Sequence, residues 1–327
     1  MELPKDVKKN MYWTMLLARQ LDERAWTLHR ERKIAFHVSG IGHEAAQIGA
    51  AFAMRPGHDW LAPYYRDLAF MLSLGMKPVD FILGLMGKKT DPASGGRQMP
   101  SHWSSKAANV ISISTAAAAQ TTHAVGIALG IKLRAEDAVV VTTCGDGATS
   151  QGEWYEALNW AAIHKLPVVF LVQNNRYALS VHQDKQMAVS SIAEKACGLG
   201  LPGHSIDGTN LFTVYETMLQ AIEDARSGKG PSLVEAHVHR ITPHSSDDDD
   251  RSYRTRQEVE EAKEHDPLPI LRDTLIAQGV LTSAVVSALN DKVSATIEMA
   301  VQEADEDPLP SGEDAAGPVY AEEVGHV

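Results

Sequence analysis

The chain has 327 residues, 44% of them apolar, which is enough to bury one large core or two modest ones. A formal charge of −12 without any sustained Lys/Arg cluster excludes nucleic acid or an anionic membrane as the main partner, since both need a basic footprint. The two cysteines, Cys144 and Cys197, cannot build a disulfide framework and are expected to be buried small hydrophobes in a reducing compartment.

The opening Met1-Glu2-Leu3-Pro4-Lys5-Asp6 lacks the basic-then-apolar pattern of a signal peptide and the acid-poor, Arg-rich character of a transit peptide, so a cytoplasmic location is expected. Helical periodicity runs over 5–32, with charges on one side, and again over 44–54 and 64–87. Residues 88–105 have turn chemistry and are too many for a mere connector, so this loop is expected to serve a site. The small-residue stretch 116–133 is interrupted by Gln120, His123 and Lys132 and makes a poor membrane span. A β-branched run over 138–143, a helix over 153–164 and a second run over 167–172 form a βαβ unit. Leu211, Val214, Tyr215, Met218, Leu219 and Ile222 recur at helical spacing, and 232–238 supplies a third strand. The expected fold is α/β, a parallel sheet with helices on both faces, in which the loops at Gly145 and Asn174 share a crevice beyond the strands' carboxyl ends. A polar loop over 242–252 then leads back to helix through about residue 300, with Val286, Leu289, Val293 and Ile297 as its apolar stripe. From Asp305 on, the acidic, Pro- and Gly-containing tail is expected to fray or to dock on a partner. The expected organisation is a helical region over 1–90, an α/β core over 91–255, and C-terminal helices and tail over 256–327, together one compact domain.

Gly145-Asp146-Gly147 follows one buried strand and opens a helix. Its glycines allow close backbone approach, its amides face an anion, and Asp146 supplies a hard carboxylate. Asn174-Asn175 follows Gly147 after 26 residues, at the end of the next strand, where an amide oxygen completes the coordination of the same ion. Magnesium favours six oxygens at about 2.0–2.1 Å and takes one or two protein groups plus phosphates, so the pair reads as a magnesium–diphosphate clamp. Taken singly, Gly-Asp-Gly is a common turn and Asn-Asn a common loop dipeptide. Their joint placement on adjacent strands makes them a site.

The combination resembles the thiamine diphosphate motif. With Gly42-His43-Glu44-Ala45-Ala46-Gln47, Tyr64-Tyr65-Arg66-Asp67, Gly96-Arg97-Gln98-Met99-Pro100 and Pro243-His244-Ser245-Ser246-Asp247-Asp248, the chain resembles, over nearly its whole length, alpha subunits of the decarboxylase component of branched-chain 2-oxo acid dehydrogenase complexes. The resemblance implies the thiamine diphosphate-binding fold, with magnesium held by Asp146, Asn175 and the backbone carbonyl of Tyr177. It places Arg66, beside Tyr65, on the diphosphate, a role that suits a planar guanidinium fork. It has Gly147 and Ala148 donate backbone amides and sets Phe36, Thr115, Ala117 and Gly145 around the cofactor. His244 falls beside the cofactor's reactive end, in a loop that orders on cofactor binding, as an acid/base or intermediate-stabilising group. The aspartates that follow it are read as shaping that loop. Two positions depart from the family pattern. Thr115-Ala116-Ala117-Ala118 stands where Ser-Pro and a large aliphatic are usual, which shrinks the support for the bent cofactor, and Gln173 stands where relatives often carry Arg or Glu.

The implied activity is oxidative decarboxylation of branched-chain 2-oxo acids such as 3-methyl-2-oxobutanoate, with the acyl group passing to the lipoyl group of an acyltransferase component. The glutamate that activates the cofactor comes, in that family, from a beta subunit in an α2β2 assembly. At 327 residues the chain is too short for the two similar halves of a single-chain thiamine enzyme, so it is expected to be silent alone. Pyruvate or acetoin is the alternative substrate, although pyruvate-specific subunits typically read Gly-Gly-Ser-Met-His where Gly96-Arg97-Gln98-Met99-Pro100 stands here. A non-catalytic assembly subunit would be expected to lose Asp146, Asn175 or Arg66, and all three are present. A nicotinamide enzyme needs a Gly-x-Gly-x-x-Gly after a strand, which is missing.

Overall fold

The β-branched runs in the middle of the chain form strands that are covered on both faces. The computed structural model describes residues 3–316. Helices α1 (Lys5–Arg30) and α2 (Glu44–Ala53) lead to a short strand β1 (Trp60–Ala62) and to helices α3 (Leu68–Ser73) and α4 (Pro78–Met86). A long loop precedes α5 (Ala119–Leu133), β2 (Val140–Gly145), α6 (Gly152–His164) and β3 (Val168–Asn174). A two-stranded hairpin of β4 (Tyr177–Ala178) and β5 (Val181–His182) is followed by α7 (Ala193–Gly198), β6 (Gly203–Asp207), α8 (Leu211–Arg226) and β7 (Ser232–His237). Helices α9 (Arg256–Glu264), α10 (Pro267–Ala277) and α11 (Ser283–Glu306) close the order.

The main sheet is wholly parallel, in the order β1-β2-β3-β7-β6. Successive residues of each strand point to opposite faces, so one run of valines feeds two cores. Val139, Val141, Val169, Leu171 and Val234 pack with the layer that includes α1 to α4 and α8, whereas Val140, Val168, Phe170 and Val172 pack with α5 and α6. Register aligns the carboxyl ends, pairing Gly145 with Gln173 and Asn174 with His237. The residues that come next, Asp146 and Asn175, therefore emerge at one edge of the sheet, as expected for ligand-binding loops of an α/β fold.

Several expectations need correction. The stretch 64–87 is two helices rather than one, because Gly75 adopts φ +99° and Pro78 opens α4 while the Asp80 carboxylate accepts the Lys77 N–H at 2.9 Å. The stretch 116–133 contains α5, and β1 and β6 add two strands to the three expected. Among the described residues no helix is long and apolar enough to cross a membrane. Cys144 is buried as expected, but Cys197 is exposed on α7. The tail does not fray at Asp305: α11 continues to Glu306, and Lys88 Nζ donates to the carbonyls of Asp305 (3.0 Å) and Asp307 (2.7 Å). Residues 317–327 of that tail lie outside the described residues. The first and last helical regions are clamped together by Arg19, which donates to Glu44 at 2.7 Å and, through both terminal nitrogens, to Asp266 at 2.8 Å. These charges leave water together, so removing any one of them strands the others.

Candidate active site

At the carboxyl edge, Asp146 begins a short 3₁₀ turn between β2 and α6 and is 3% exposed. Burial pushes its carboxyl above the usual range, opposed by Gln186 Nε2, which donates to Oδ2 at 3.0 Å. Gly147 must be glycine, because a Cβ there would lie 2.7 Å from the Ala178 Cβ of β4. That contact seats the hairpin on the turn and brings Tyr177 alongside Asp146. Asn175 presents its amide to the same space, with Oδ1 accepting the Tyr177 N–H at 3.1 Å. Asn174 behaves differently. Its amide nitrogen donates inward to Glu235 (2.7 Å) and Gln183 (2.8 Å), and its oxygen takes the Arg176 N–H at 2.9 Å. Of the asparagine pair, then, Asn175 faces the site and Asn174 braces the turn.

All the site residues expected from the resemblance line one cavity of about 430 Å³: Phe36, Tyr65, Arg66, Thr115, Ala117, Gly145, Asp146, Gly147, Ala148, Asn175, Tyr177 and His244. The long loop after α4 contributes Met99 and His102, and His102 Nε2 bonds the Thr115 hydroxyl at 2.7 Å. Ala117 is exposed, consistent with a missing large aliphatic at that wall. Asp146 is the only carboxylate that lines the cavity among the described residues. Nor do any three His, Cys, Asp or Glu side chains among them gather as metal ligands. An ion at Asp146 would therefore be a hard one, held by a single carboxylate, an amide oxygen, a backbone carbonyl and the oxygens of its ligand, which is a donor set that suits magnesium.

The lining also carries one cation, Arg66. Arg66 is 2% exposed, yet no carboxylate among the described residues pairs with it; Nη1 donates to the Ser39 carbonyl at 2.6 Å and Nη2 to His244 Nδ1 at 2.8 Å. Arg240, also 2% exposed, lines a neighbouring cavity with Asn175 and Tyr177 and not this one; it donates to the Leu179 carbonyl (2.9 Å) and the Tyr253 hydroxyl (2.8 Å), with no ion pair among the described residues. Burial, and then Arg66, pull the Arg240 guanidinium down to about 10. A buried charge without a counter-ion is costly, and an anion that reached Arg66 in the cavity would offset that cost. His244 is held down to about 3 by burial, Arg66 and Arg240, so its ring is neutral, with Nδ1 accepting from Arg66 and the proton on Nε2. Asp248 fixes the His244 loop by accepting the His244 N–H at 2.8 Å and the Tyr253 hydroxyl. Asp249 caps the next turn and Asp250 pairs with Arg254, so these aspartates do shape the loop.

Sequence reasoning missed the buried polar groups behind the cavity. His43, Gln47, Asp67 and Gln173 are all fully buried and hydrogen-bonded to one another. His43 and Asp67 lie within motifs that carry the resemblance, but nothing local shows that they meet. The same holds for Gln186 and Arg240, whose partners lie 40 and 61 residues away in the chain.

A profile of the dehydrogenase E1 component family matches residues 12–313. The chain belongs to that family. The 2-oxoisovalerate dehydrogenase subunit alpha of Bacillus subtilis (strain 168) is 45% identical over 312 residues, covering 95% of this chain and 94% of that one. The 3-methyl-2-oxobutanoate dehydrogenase subunit alpha of Mycobacterium tuberculosis (strain ATCC 25618 / H37Rv) is 39% identical over 279 residues, 85% of this chain and 73% of its own. The pyruvate dehydrogenase E1 component subunit alpha of Staphylococcus aureus (strain COL) is 33% identical over 301 residues, 92% of this chain and 77% of its own. Membership in the E1 family implies thiamine diphosphate as the cofactor and a place in a multienzyme 2-oxo acid dehydrogenase complex.

Proposed function

We propose that this chain is the alpha subunit of a branched-chain 2-oxo acid dehydrogenase, and that its cavity binds thiamine diphosphate through a magnesium ion on Asp146, Asn175 and the Tyr177 carbonyl. The observation that carries this reading is the presence in one lining of a single hard carboxylate with an amide, and of the buried guanidinium of Arg66, which no carboxylate among the described residues pairs. A metal–diphosphate carries the charge that each lacks. Gly147 and Ala148 line the cavity at the start of the turn, which supports the reading that their backbone amides face the same group. When bound, thiamine diphosphate supplies the nucleophilic carbon and the electron sink for decarboxylation. His244, neutral with a proton on Nε2, can donate a hydrogen bond from that N–H to a substrate oxygen, and Arg66 keeps the ring in that tautomer.

The cavity holds no carboxylate besides Asp146 among the described residues, so the group that activates the cofactor comes from elsewhere. That supports an α2β2 assembly with a beta subunit, in which the acyl group passes to the lipoyl group of an acyltransferase component. Helix α6 starts at the cavity and exposes Trp160 (49%) and Ile163 (64%), as an interface helix would. The branched-chain assignment rests on the relatives' names and their identity: 45% and 39% for the branched-chain subunits against 33% for the pyruvate subunit.

The test is to assay the purified chain alone and with its beta partner, offering 3-methyl-2-oxobutanoate and pyruvate in turn. Decarboxylation only in the mixture, with the branched substrate turned over at the higher kcat/KM, is the expected result. Full activity from the isolated chain would overturn the assembly. A large preference for pyruvate would overturn the substrate.

A further inference from the structure

Behind the cavity a buried chain of hydrogen bonds runs from Asp67 through Gln173 and His43 to Asn175, and its direction is set by backbone groups at several points. At one end the Tyr64 N–H donates to Asp67 Oδ2 at 2.9 Å, leaving Oδ1 to accept from Gln173 Nε2 at 2.7 Å. Gln47 is oriented independently, since its oxygen accepts the Ala69 N–H and its nitrogen donates to the Arg66 carbonyl, both at 3.0 Å. The same nitrogen meets Gln173 Oε1 at 3.0 Å, so that oxygen is an acceptor by two separate constraints. It follows that His43 Nδ1, 3.0 Å from Gln173 Oε1, carries the proton, and that His43 Nε2 offers a lone pair to Asn175 Nδ2 at 3.3 Å. At the far end the Tyr177 N–H donates to Asn175 Oδ1 at 3.1 Å.

We propose that His43, oriented by Gln173, is a positioning residue: it holds the Asn175 amide so that the oxygen, and not the nitrogen, faces the metal site. This inference rests on the reading of Asn175 as a metal ligand. An asparagine amide is nearly symmetric in shape, and a half-turn would replace an oxygen ligand by an NH2 group that no cation accepts. The side chain at 173 must accept from His43 with one end and donate to Asp67 with the other. An amide does both, whereas an arginine has no acceptor and an ionised glutamate has no donor. This explains why glutamine stands where the resemblance leads one to expect Arg or Glu. Outer partners that orient metal ligands typically account for about 10- to 100-fold in metal affinity.

The test uses the assembled αβ complex and reads binding, without turnover: thiamine diphosphate titrated calorimetrically at a series of magnesium concentrations. For His43→Leu the magnesium needed for half-saturation should rise about 10- to 100-fold. For His43→Gln, whose amide can donate to Gln173 and accept from Asn175, it should stay within about threefold of wild type. Unliganded thermal melts run in parallel, because a purely structural role would lower the melt and leave the magnesium dependence in place. A His43→Leu complex with wild-type magnesium dependence overturns the inference, and so does a folded His43→Gln complex as impaired as the leucine variant. If the wild-type complex itself shows no metal-dependent binding, it is the reading of Asn175 as a ligand that fails.

Discussion

Replacing Arg66 by glutamine removes that cation from the cavity lining while leaving a donor for the Ser39 carbonyl, which Arg66 Nη1 now meets at 2.6 Å. A hydrogen bond between charged partners contributes about 1.5–3 kcal/mol, and a guanidinium fork makes two of them to a phosphate. The loss is therefore roughly 3 kcal/mol at the low end, or about 100-fold in thiamine diphosphate affinity. Unliganded stability should change far less, since among the described residues the buried charge that is lost has no counter-ion whose desolvation is left uncompensated. A second readout follows from His244. Arg66 is one of the causes holding the ring down to about 3, behind burial, so Arg66→Gln should raise the His244 midpoint part of the way towards its ordinary value. Calorimetric titration of the assembled complex with thiamine diphosphate and magnesium gives the affinity, and histidine NMR titration gives the shift. An affinity within threefold of wild type would refute the assignment of the diphosphate to this guanidinium.

Three further outcomes are expected. Burial raises the Asp67 carboxyl from 3.8 to about 7, so the native state holds a proton there that the unfolded chain has released; stability should fall as pH rises through that window. In Asp67→Asn the dependence should flatten, and urea midpoints at pH 5 and 8 would show it, an unchanged slope pointing to other groups. Tyr253→Phe removes the hydroxyl that joins Asp248 to Arg240 and leaves a buried donor unpaired, costing about 1–3 kcal/mol and making the loop 244–252 more sensitive to protease. Limited proteolysis with denaturant melts checks this, and wild-type behaviour in both would remove Tyr253 from the loop's anchoring. Ala117→Leu restores the aliphatic that the wall lacks and should tighten thiamine diphosphate binding several-fold, given about 0.8 kcal/mol per buried CH2 of which only part becomes buried. Weaker binding would mean that the bent cofactor is supported by another group.

The parts of this molecule that were legible in the sequence are those whose signal is local. The strands β2 and β3 announce themselves as unbroken runs of buried β-branched residues because helices cover both faces of the sheet. Gly145-Asp146-Gly147 stands out because a strand-to-helix turn against another backbone demands small residues, as the Ala178 contact with Gly147 shows. Strand β1 has only three residues and no alternation to reveal it, and β6 carries no apolar signal because its residues are mostly exposed. The polar chain behind the cavity could not be read at all. Asp67 meets Gln173 across 106 residues and His43 meets Gln173 across 130, and each of these side chains alone looks like an ordinary surface residue. Asn174 and Asn175 look equivalent in sequence; only the fold, by placing Glu235 beneath one and His43 beside the other, separates brace from candidate ligand.

The central claim is that Asp146 and Asn175 hold a magnesium ion that carries the diphosphate. The most direct measurement is thiamine diphosphate binding to the assembled complex, with magnesium and with chelator, for wild type and Asp146→Asn. Saturable binding that needs magnesium in the wild type and is lost in Asp146→Asn is the predicted result. Equal affinity with chelator, or an Asp146→Asn complex that binds as the wild type does, would contradict it.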